Sequence, residues 1–595
     1  SWFNQPWLSK SLSEGTQVVL SGKIDQYLGR LGMNSPEWEL LDEKNLHTNR
    51  IVPVYPLTAK LTQRWLRGQM DKVVNYWALR VQDPLPKSLQ ESARLMDLPE
   101  ALLQNHFPDS WADLKAAQHR LAFDEILYLQ IGVLQHKRNW AELTSQKFTV
   151  EQTWLDAQLG KLPYQLTGAQ QKALDDLRAD LSSGHPMNRL LQGDVGSGKT
   201  VIAALGAAIV IENGAQVAIL APTSILAEQH YASFTKLLAG ENGVITPEQI
   251  RLLVGATPEA EKNDIKAALE SGEIKIIIGT HALLEDPVVF HKLQLAVIDE
   301  QHRFGVKQRS KLRAKGENPH LMVMTATPIP RSLALTVYGD LDLTVMDEMP
   351  PGREPVSTYL LFPRERERAY GLIRKEIKAG RQAFIIYPLV EESEKLNSKA
   401  AVEEHQRIKD EIFPHLKVGL MHGRLKAEEK EAVMAQFRDK EIDILVSTTV
   451  VEVGLDVPNA TVMLIEGANR FGLAQLHQLR GRVGRGAEQS YAILVPETEE
   501  GIENERLKVM SETNDGFILA EKDLEQRGPG QFLGTRQAGF AELQMASLTD
   551  LQLIEKARKH AHEVVEKDPD LAAHEHEAMR TAVKQRWSGE EGDIS

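Results

Sequence analysis

The chain has 595 residues, a formal net charge of −14 and no cysteine, which excludes a disulfide framework, a thiolate zinc site and a cysteine nucleophile. Its length leaves room for three or four domains, each with its own core, and its charge argues against a surface coated in nucleic acid without excluding a local basic track. The longest apolar run stops at Glu212, too short to span a bilayer, and no signal-peptide pattern opens the chain, although Ser1 stands where Met would; a reducing, cytoplasmic setting is expected.

Ser1 to about Arg50 reads as β-rich. Residues 17–28 alternate before the turn Gly29-Arg30-Leu31-Gly32, and residues 33–42 follow, which predicts a hairpin with Tyr27 and Leu28 near its tip in a small barrel or sandwich. Trp2, Phe3, Tyr27 and Trp38 also fit the core or strand faces of such a unit. From Leu57 to about Gly160 the spacing turns helical, over 57–77, 97–106 and 118–140, with a break at Asp83-Pro84-Leu85-Pro86. The last of these reads as a long amphipathic helix. Nothing in this connector suggests chemistry.

From about Leu162 to Met349, strands and helices alternate. Strands are predicted at 216–222, 250–255, 274–280, 293–300 and 320–327, with helical patterns such as 225–238 between them. That alternation specifies a parallel sheet covered on both faces. A stiff linker, residues 350–355, precedes a second alternating block with strands at 381–390, 417–422, 442–449, 460–467 and 490–495. The remainder, from Pro496, is helical and charged, interrupted by the glycine-rich stretch Glu525 to Gly539. No repeat at a solenoid period is present, so two similar α/β lobes remain.

Two motifs organise this pattern. Gly193-Asp194-Val195-Gly196-Ser197-Gly198-Lys199-Thr200 fits the phosphate-loop template, which a random chain of this length would match about one time in fifty at average glycine usage. A short apolar strand enters the loop, and the buried helical pattern Val201 to Glu212, ended by Asn213-Gly214, leaves it. The helix N-terminus therefore faces the phosphates, with Lys199 and the Thr200 hydroxyl reaching the β/γ-phosphates and Mg²⁺. About a hundred residues on, Asp299 and Glu300 end an apolar strand, where an open parallel sheet presents its ligands. Asp299 is placed to hold Mg²⁺ opposite Thr200, and Glu300 to polarise an attacking water.

These motifs, with Thr325-Ala326-Thr327 and Gln478 to Arg485, stand in the order and spacing of the superfamily 2 helicases and translocases, which this chain resembles from about Leu162 to Val495. The intermediate boxes Ala221-Pro222-Thr223, Gly279-Thr280-His281, and Thr448-Thr449-Val450 through Gly454-Leu455-Asp456 fit as well. The resemblance implies two RecA-like lobes with ATP between them. It implies adenine recognition by Tyr164 and Gln170, nucleotide contacts from Gly454 and Asp456, and arginine fingers at Arg482 and Arg485. By the same resemblance His302, Thr325, Thr327 and Gln478 couple the nucleotide to lobe motion. Taken alone, these residues read as a basic helix face, caps and turns.

Within the superfamily, residues 297–309 and 349–356 resemble the RecG family of bacterial branch-migration helicases, and Asp523 to Gly539 resembles the translocation box that RecG shares with the transcription-repair coupling factor. On that resemblance Arg527, Gly528, Gln531 and Arg536 transmit lobe closure to duplex DNA. Residues 3–8 and 21–39 are similar to part of the RecG wedge, an OB-like barrel. Oligonucleotide-binding barrels present aromatics and positive charge to strands, so Tyr27 is the candidate for stacking at a branch point, with Lys23 and Arg30 for phosphates. The barrel is expected to lack its first strands.

The reading is an α/β multidomain chain: an OB-like wedge over 1–50, a helical connector over 51–158, RecA-like lobes over 159–349 and 350–496, and a C-terminal translocation-box domain over 497–595. Its expected function is that of an ATP- and Mg²⁺-dependent duplex DNA translocase acting on replication forks and three- and four-way junctions. It is expected to act as a monomer in the bacterial cytoplasm, associated with the nucleoid, and a single-stranded DNA-binding protein is a candidate partner. Three rivals are a coupling factor, which needs a polymerase-binding domain, an RNA helicase, which has no translocation box, and a junction-binding scaffold that switches without hydrolysis.

Overall fold

The computed structural model describes residues 2, 8, 12–27, 30–41, 46–58, 60–240, 243–300, 306–326, 341–350, 354–388, 402–448, 457–486, 488–527, 543, 545–546 and 550–587. The chain forms two compact units, one of Ser1–Gln135 with Phe540–Gly589, the other of His136–Gly539 with the last six residues.

The first unit opens with four short strands. β1 (Val18–Ser21) pairs antiparallel with β4 (Glu37–Leu40), and β2 (Ile24–Tyr27) with β3 (Arg30–Met33). The expected hairpin is present, with Tyr27 opposite Arg30 at its tip. The stretch 17–28 is not one strand, however. It breaks at Gly22, where a Cβ would lie 3.2 Å from Pro36, and its two halves take different partners. The buried Glu39 carboxylate then gathers the N–H groups of Leu46, His47 and Thr48 together with the Thr48 hydroxyl.

Helices follow at Gln63–Trp77, Leu98–His106 and Trp111–Ala141. Thr62 and Asp97 cap the first two through their side chains. The long helix departs from the expected amphipathic form: from Ala122 to Val133 nearly every residue is buried. Its outer side is covered by the helices Leu551–Lys567 and Glu577–Trp587. Phe123 meets His560 edge-on, and the Trp587 ring lies where a side chain at Gly132 would be, donating from Nε1 to the Tyr128 carbonyl at 3.3 Å. Glu125 accepts the N–H groups of Met545 and Ala546. The C-terminal hundred residues are thus divided between the two units.

Arg120 is fully buried in that helix and donates to Asp83 (2.6 Å), Asp124 (2.8 Å) and the Met96 carbonyl (2.6 Å). Asp83 also accepts the N–H groups of Leu85 and Leu98, so one guanidinium fixes the Asp83–Pro86 break against two helices. Burial pushes the Asp124 carboxyl up to about 6, against the pull of Arg120.

The second unit contains two parallel sheets. The first runs β11-β5-β10-β9-β6-β8-β7, and every adjacent pair in it is parallel. Its strands are β5 (Asn188–Gly193), β6 (Gln216–Leu220), β7 (Ile250–Leu253), β8 (Ile276–Gly279), β9 (Leu293–Asp299), β10 (His320–Thr325) and β11 (Asp342–Met346). The helix Lys199–Glu212 is buried from Val201 to Ile211. One core lies on its side of the sheet and a second, around Leu283, Phe290 and Leu321, on the other.

The second sheet runs β12-β17-β16-β13-β15-β14, with β12 (Ser357–Leu360), β13 (Gln382–Ile386), β14 (Val418–Met421), β15 (Ile444–Ser447), β16 (Ala460–Glu466) and β17 (Tyr491–Val495). It too has a core on each face. Every strand predicted in the two blocks is present, and β5, which enters the loop, is too; β11 and β12, at the outer edges beside the linker, are additional. Two RecA-like parallel-sheet lobes are therefore the fold. Among the described residues no helix is long and apolar enough to cross a membrane.

Replacing Arg120 by alanine is expected to lower the stability of the first unit by ~3–5 kcal/mol, because it strands two buried carboxylates. Urea titration followed by hydrogen exchange at the amides of 120–133 measures this; a change within error would show that the network carries no stability.

Candidate active site

At the C-terminal edge of the first sheet, β10 lies between β5 and β9, with Thr325 opposite Gln192 and Met324 opposite Asp299. This register brings the phosphate loop after β5 and the acid pair after β9 to either side of buried Thr325. Because the strands are parallel, the ends of these three neighbours lie on the same side of the sheet.

Gly196 and Gly198 have φ of +84° and +92°, left-handed values that only glycine adopts without strain, and a Cβ at Gly198 would strike the Gln170 amide. Gly193 is crowded by Ser197 Oγ and the Met346 carbonyl. Lys199 Nζ donates to the carbonyls of Gly193 (2.8 Å) and Asp194 (2.9 Å). Burial draws the Lys199 ammonium below its ordinary pKa, and the charges of Asp299, Glu300 and Asp194 oppose that shift. Thr200 follows at the start of the helix.

Gln170 braces this loop from behind. It belongs to a capping box with Thr167, accepting the Thr167 N–H at Oε1 (2.9 Å), while Nε2 donates to the Ser197 carbonyl (2.8 Å). Tyr164 is more exposed, at the other end of the same segment.

Asp299 and Glu300 differ in state. Burial alone would raise Asp299, but the His230 Nε2 bond at 2.7 Å, the charges of His230 and Lys199 and the Glu300 N–H hold it below the ordinary carboxylate value. Burial, and the Asp299 charge beside it, push the Glu300 carboxyl up to about 7, against the pull of Lys199 and Arg482. Glu300 also has φ of +52°, a strained conformation for a residue with a side chain. Its N–H donates to the Met324 carbonyl and to Asp299 Oδ1, both at 3.0 Å, which holds it there. The side-chain oxygens of Thr200 and Asp299 are of the type that suits a hard cation taking its remaining ligands from phosphates and water. Among the described residues no group of three or more metal-ligating side chains occurs.

The second lobe supplies the helix Leu473–Arg480 and the turn beyond it. Gln478 and Arg482 are buried. The positive charges of Arg482 and Arg485 bear on Glu300 and Lys199 respectively, so both arginines lie within electrostatic reach of that end of the first sheet. Arg485 Nε donates to the Gly481 carbonyl. Two histidines escaped the sequence reading: His230, on Asp299, and His477, whose Nε2 lies 2.6 Å from Asp194 Oδ1. His477 stands directly before the Gln478 motif, which is the one sequence signal for it.

A cavity of about 300 Å³ opens beside the loop, between Val195, the segment Met346–Met349 at the end of β11, Arg480 and Phe517. Lys23 and Arg30 are exposed near the first hairpin. The side chains of Tyr27 and Arg527 lie outside the described residues, as do His302, Thr327, Gly454, Asp456, Gly528, Gln531 and Arg536.

Comparison with known proteins agrees with this geometry. The chain matches the DEAD/DEAH box helicase family over residues 167–336, the helicase conserved C-terminal domain over 367–487, the RecG wedge domain over 1–76 and the C-terminal part of domain 3 of ATP-dependent DNA helicase RecG over 513–587. It is 47% identical over 564 residues to the ATP-dependent DNA helicase RecG of Synechocystis sp., covering 94% of this chain and 67% of that one. The protein of the same name from Bacillus subtilis is 43% identical over 590 residues, covering 98% and 85%. A solved structure of RecG bound to a three-way DNA junction is similar with a TM-score of 0.74 at 40% identity, covering 94% of this chain and 73% of that one. With its two parallel-sheet lobes and this identity over most of its length, the chain belongs to the RecG family of ATP-dependent DNA helicases.

Proposed function

We propose that the protein is an ATP-driven motor that tracks along double-stranded DNA and draws branched DNA into its wedge, reversing stalled replication forks and migrating three- and four-way junctions. The observation that carries this reading is the buried pair Asp299 and Glu300 set beside Lys199, with the charge of Arg482 from the other lobe bearing on Glu300 and that of Arg485 on Lys199. A scaffold that only switches shape has no need of a strained, buried acid held above its ordinary pKa at that point.

In the proposed mechanism Lys199 and the amides of Gly193 to Gly198, with Asp194, Val195 and Ser197 between the glycines, bind the phosphates. Tyr164 and Gln170 select adenine, and Gly454 and Asp456 complete the nucleotide contacts. Thr200 and Asp299 would hold Mg²⁺, which when bound would supply positive charge to the phosphates. Glu300 accepts a proton from the attacking water, and Arg482 and Arg485 stabilise charge developing at the γ-phosphate. Gln478, His302, Thr325 and Thr327 relate these events to lobe motion. Arg527, Gly528, Gln531 and Arg536 pass the motion to the duplex, and Tyr27 stacks at the branch.

The five segments 1–50, 51–158, 159–349, 350–496 and 497–595 are proposed as the functional domains. The motor acts as a monomer at the nucleoid, and a single-stranded DNA-binding protein is proposed as its partner there. DNA is gripped by its backbone, so junction shape rather than base sequence sets affinity, and affinity falls steeply with salt.

Glu300→Gln is expected to slow hydrolysis by ~10²–10⁴-fold and abolish fork remodelling while ATP still binds; remodelling by this variant would favour the scaffold. The elevated Glu300 carboxyl makes a second expectation. A base must be deprotonated, and below about pH 7 this carboxyl holds its proton, so kcat/KM for ATP is expected to fall as pH drops through about 7 and to level off above it. A flat profile from about pH 5 to about pH 9 would rule out that titration. Finally, ATPase activity is expected to be stimulated strongly by a model fork and weakly by linear duplex or single strand, and to vanish in Lys199→Ala. Equal stimulation by linear duplex would keep the motor and remove the wedge assignment.

A further inference from the structure

Lobe 2 touches the phosphate loop at two points that the mechanism above leaves unused. His477 Nε2 lies 2.6 Å from Asp194 Oδ1, and Gly481, one turn on, lies so close to Val195 that a Cβ there would be 3.1 Å from the valine Cβ. Both contacts fall on consecutive loop residues, and both come from the helix Leu473–Arg480 and its first residue beyond.

The chemistry of the histidine is fixed by its other neighbour. An Arg480 guanidinium nitrogen lies 3.0 Å from His477 Nδ1, and a guanidinium has only donors. Nδ1 therefore carries the lone pair, and the proton sits on Nε2, aimed at the Asp194 carboxylate. The same oxygen accepts the Val195 N–H at 2.7 Å, and the Asp194 carbonyl accepts Lys199 Nζ at 2.9 Å. A single residue of the loop is tied at once to its own backbone, to the phosphate-binding lysine and to the opposite lobe. His477 and Asp194 are both largely buried, so water competes little for the bond.

We infer that His477 is a positioning residue, which registers the second lobe on the phosphate loop and thereby sets where Arg482 and Arg485 stand relative to the γ-phosphate. The inference rests on the reading of those arginines as the groups that stabilise the transition state. In the proposed mechanism the loop of lobe 1 supplies most of the phosphate contacts, so loss of the bond acts on the alignment of the arginines more than on nucleotide binding.

The test is fork-stimulated ATPase of the full chain, with thermal melting and fluorescent-ADP binding as controls of folding. His477→Ala is expected to lower kcat by about ten- to a hundredfold, the scale of one hydrogen bond to a charged group, with KM for ATP changed less than about threefold. His477→Gln, whose amide nitrogen can donate to Asp194, is expected to recover most of that loss, which a bare packing role would not produce. Asp194→Ala is expected to depress kcat as well, and the double variant to be no slower than the slower single one. An unchanged kcat in a folded His477→Ala, a rise in KM at constant kcat, or multiplicative losses in the double variant would each overturn the inference. Arg482→Ala, run alongside, separates the two readings: if it keeps full kcat the arginine assignment falls, and if it alone loses kcat only the role of His477 falls.

Discussion

The structure depends on a set of charges buried together at one end of one sheet. Lys199, Asp194, Asp299 and Glu300 are all withdrawn from water, and any one of them alone would cost several kcal/mol to bury. They are tolerated because each is answered. Asp299 has His230 and Lys199, Asp194 has His477 and the Val195 N–H, and Lys199 has two loop carbonyls besides the acids. Of the three acids only Glu300 is pushed towards its neutral form, by burial and by the charge next to it. Two adjacent carboxyls therefore sit in different protonation regimes, one suited to a cation and the other to a proton, which is how a single environment assigns an acid and a base.

That requirement also explains the sheet order. The loop, the acid pair and Thr325 come from three strands far apart in sequence, and only the order β5-β10-β9 makes their ends neighbours. The backbone strain at Glu300 falls at the same place, directly after the last ladder residue of β9, and is held there by the bonds of its N–H to the Met324 carbonyl and Asp299 Oδ1.

Much of this was legible in the sequence, for a physical reason. Strands buried on both faces of a parallel sheet are unbroken apolar runs, so β6 to β10 and β13 to β17 announce themselves, and phosphate binding needs a contiguous loop whose spacing is visible. The edge strands β11 and β12 are short, partly polar and flank a proline-rich linker, and nothing local marks them. The long helix was misjudged because Arg120 and Asp124 read as surface residues; their burial depends on Asp83 and Met96, which lie 37 and 24 residues from Arg120. His230 and His477 escaped for the same reason, with partners 69 and 283 residues away. No pattern of residue type encodes such a distance.

Arg480 shows how far local reading can mislead. In the run Gln478 to Arg485 it looks like a third arginine of one basic face, equivalent to Arg482 and Arg485. Its guanidinium points elsewhere, to the carbonyls of Met510 (3.1 Å), Thr513 (2.8 Å) and Asn514 (3.2 Å) and to His477. Burial lowers it to about 10, so it is still cationic at neutral pH, and a cation at the C-terminus of the helix Glu505–Glu512 satisfies carbonyls that the helix leaves open. The helix Gly516–Arg527 begins two residues later. Any rotation of the helix Leu473–Arg480 must therefore drag the start of that segment with it or break several charge-assisted hydrogen bonds in a buried site. The same helix presents His477 to the loop. One short helix is thus bonded at one side to the glycine loop of the first lobe and at the other to the chain that leads into the helix Gly516–Arg527, which makes it the element whose position both must share.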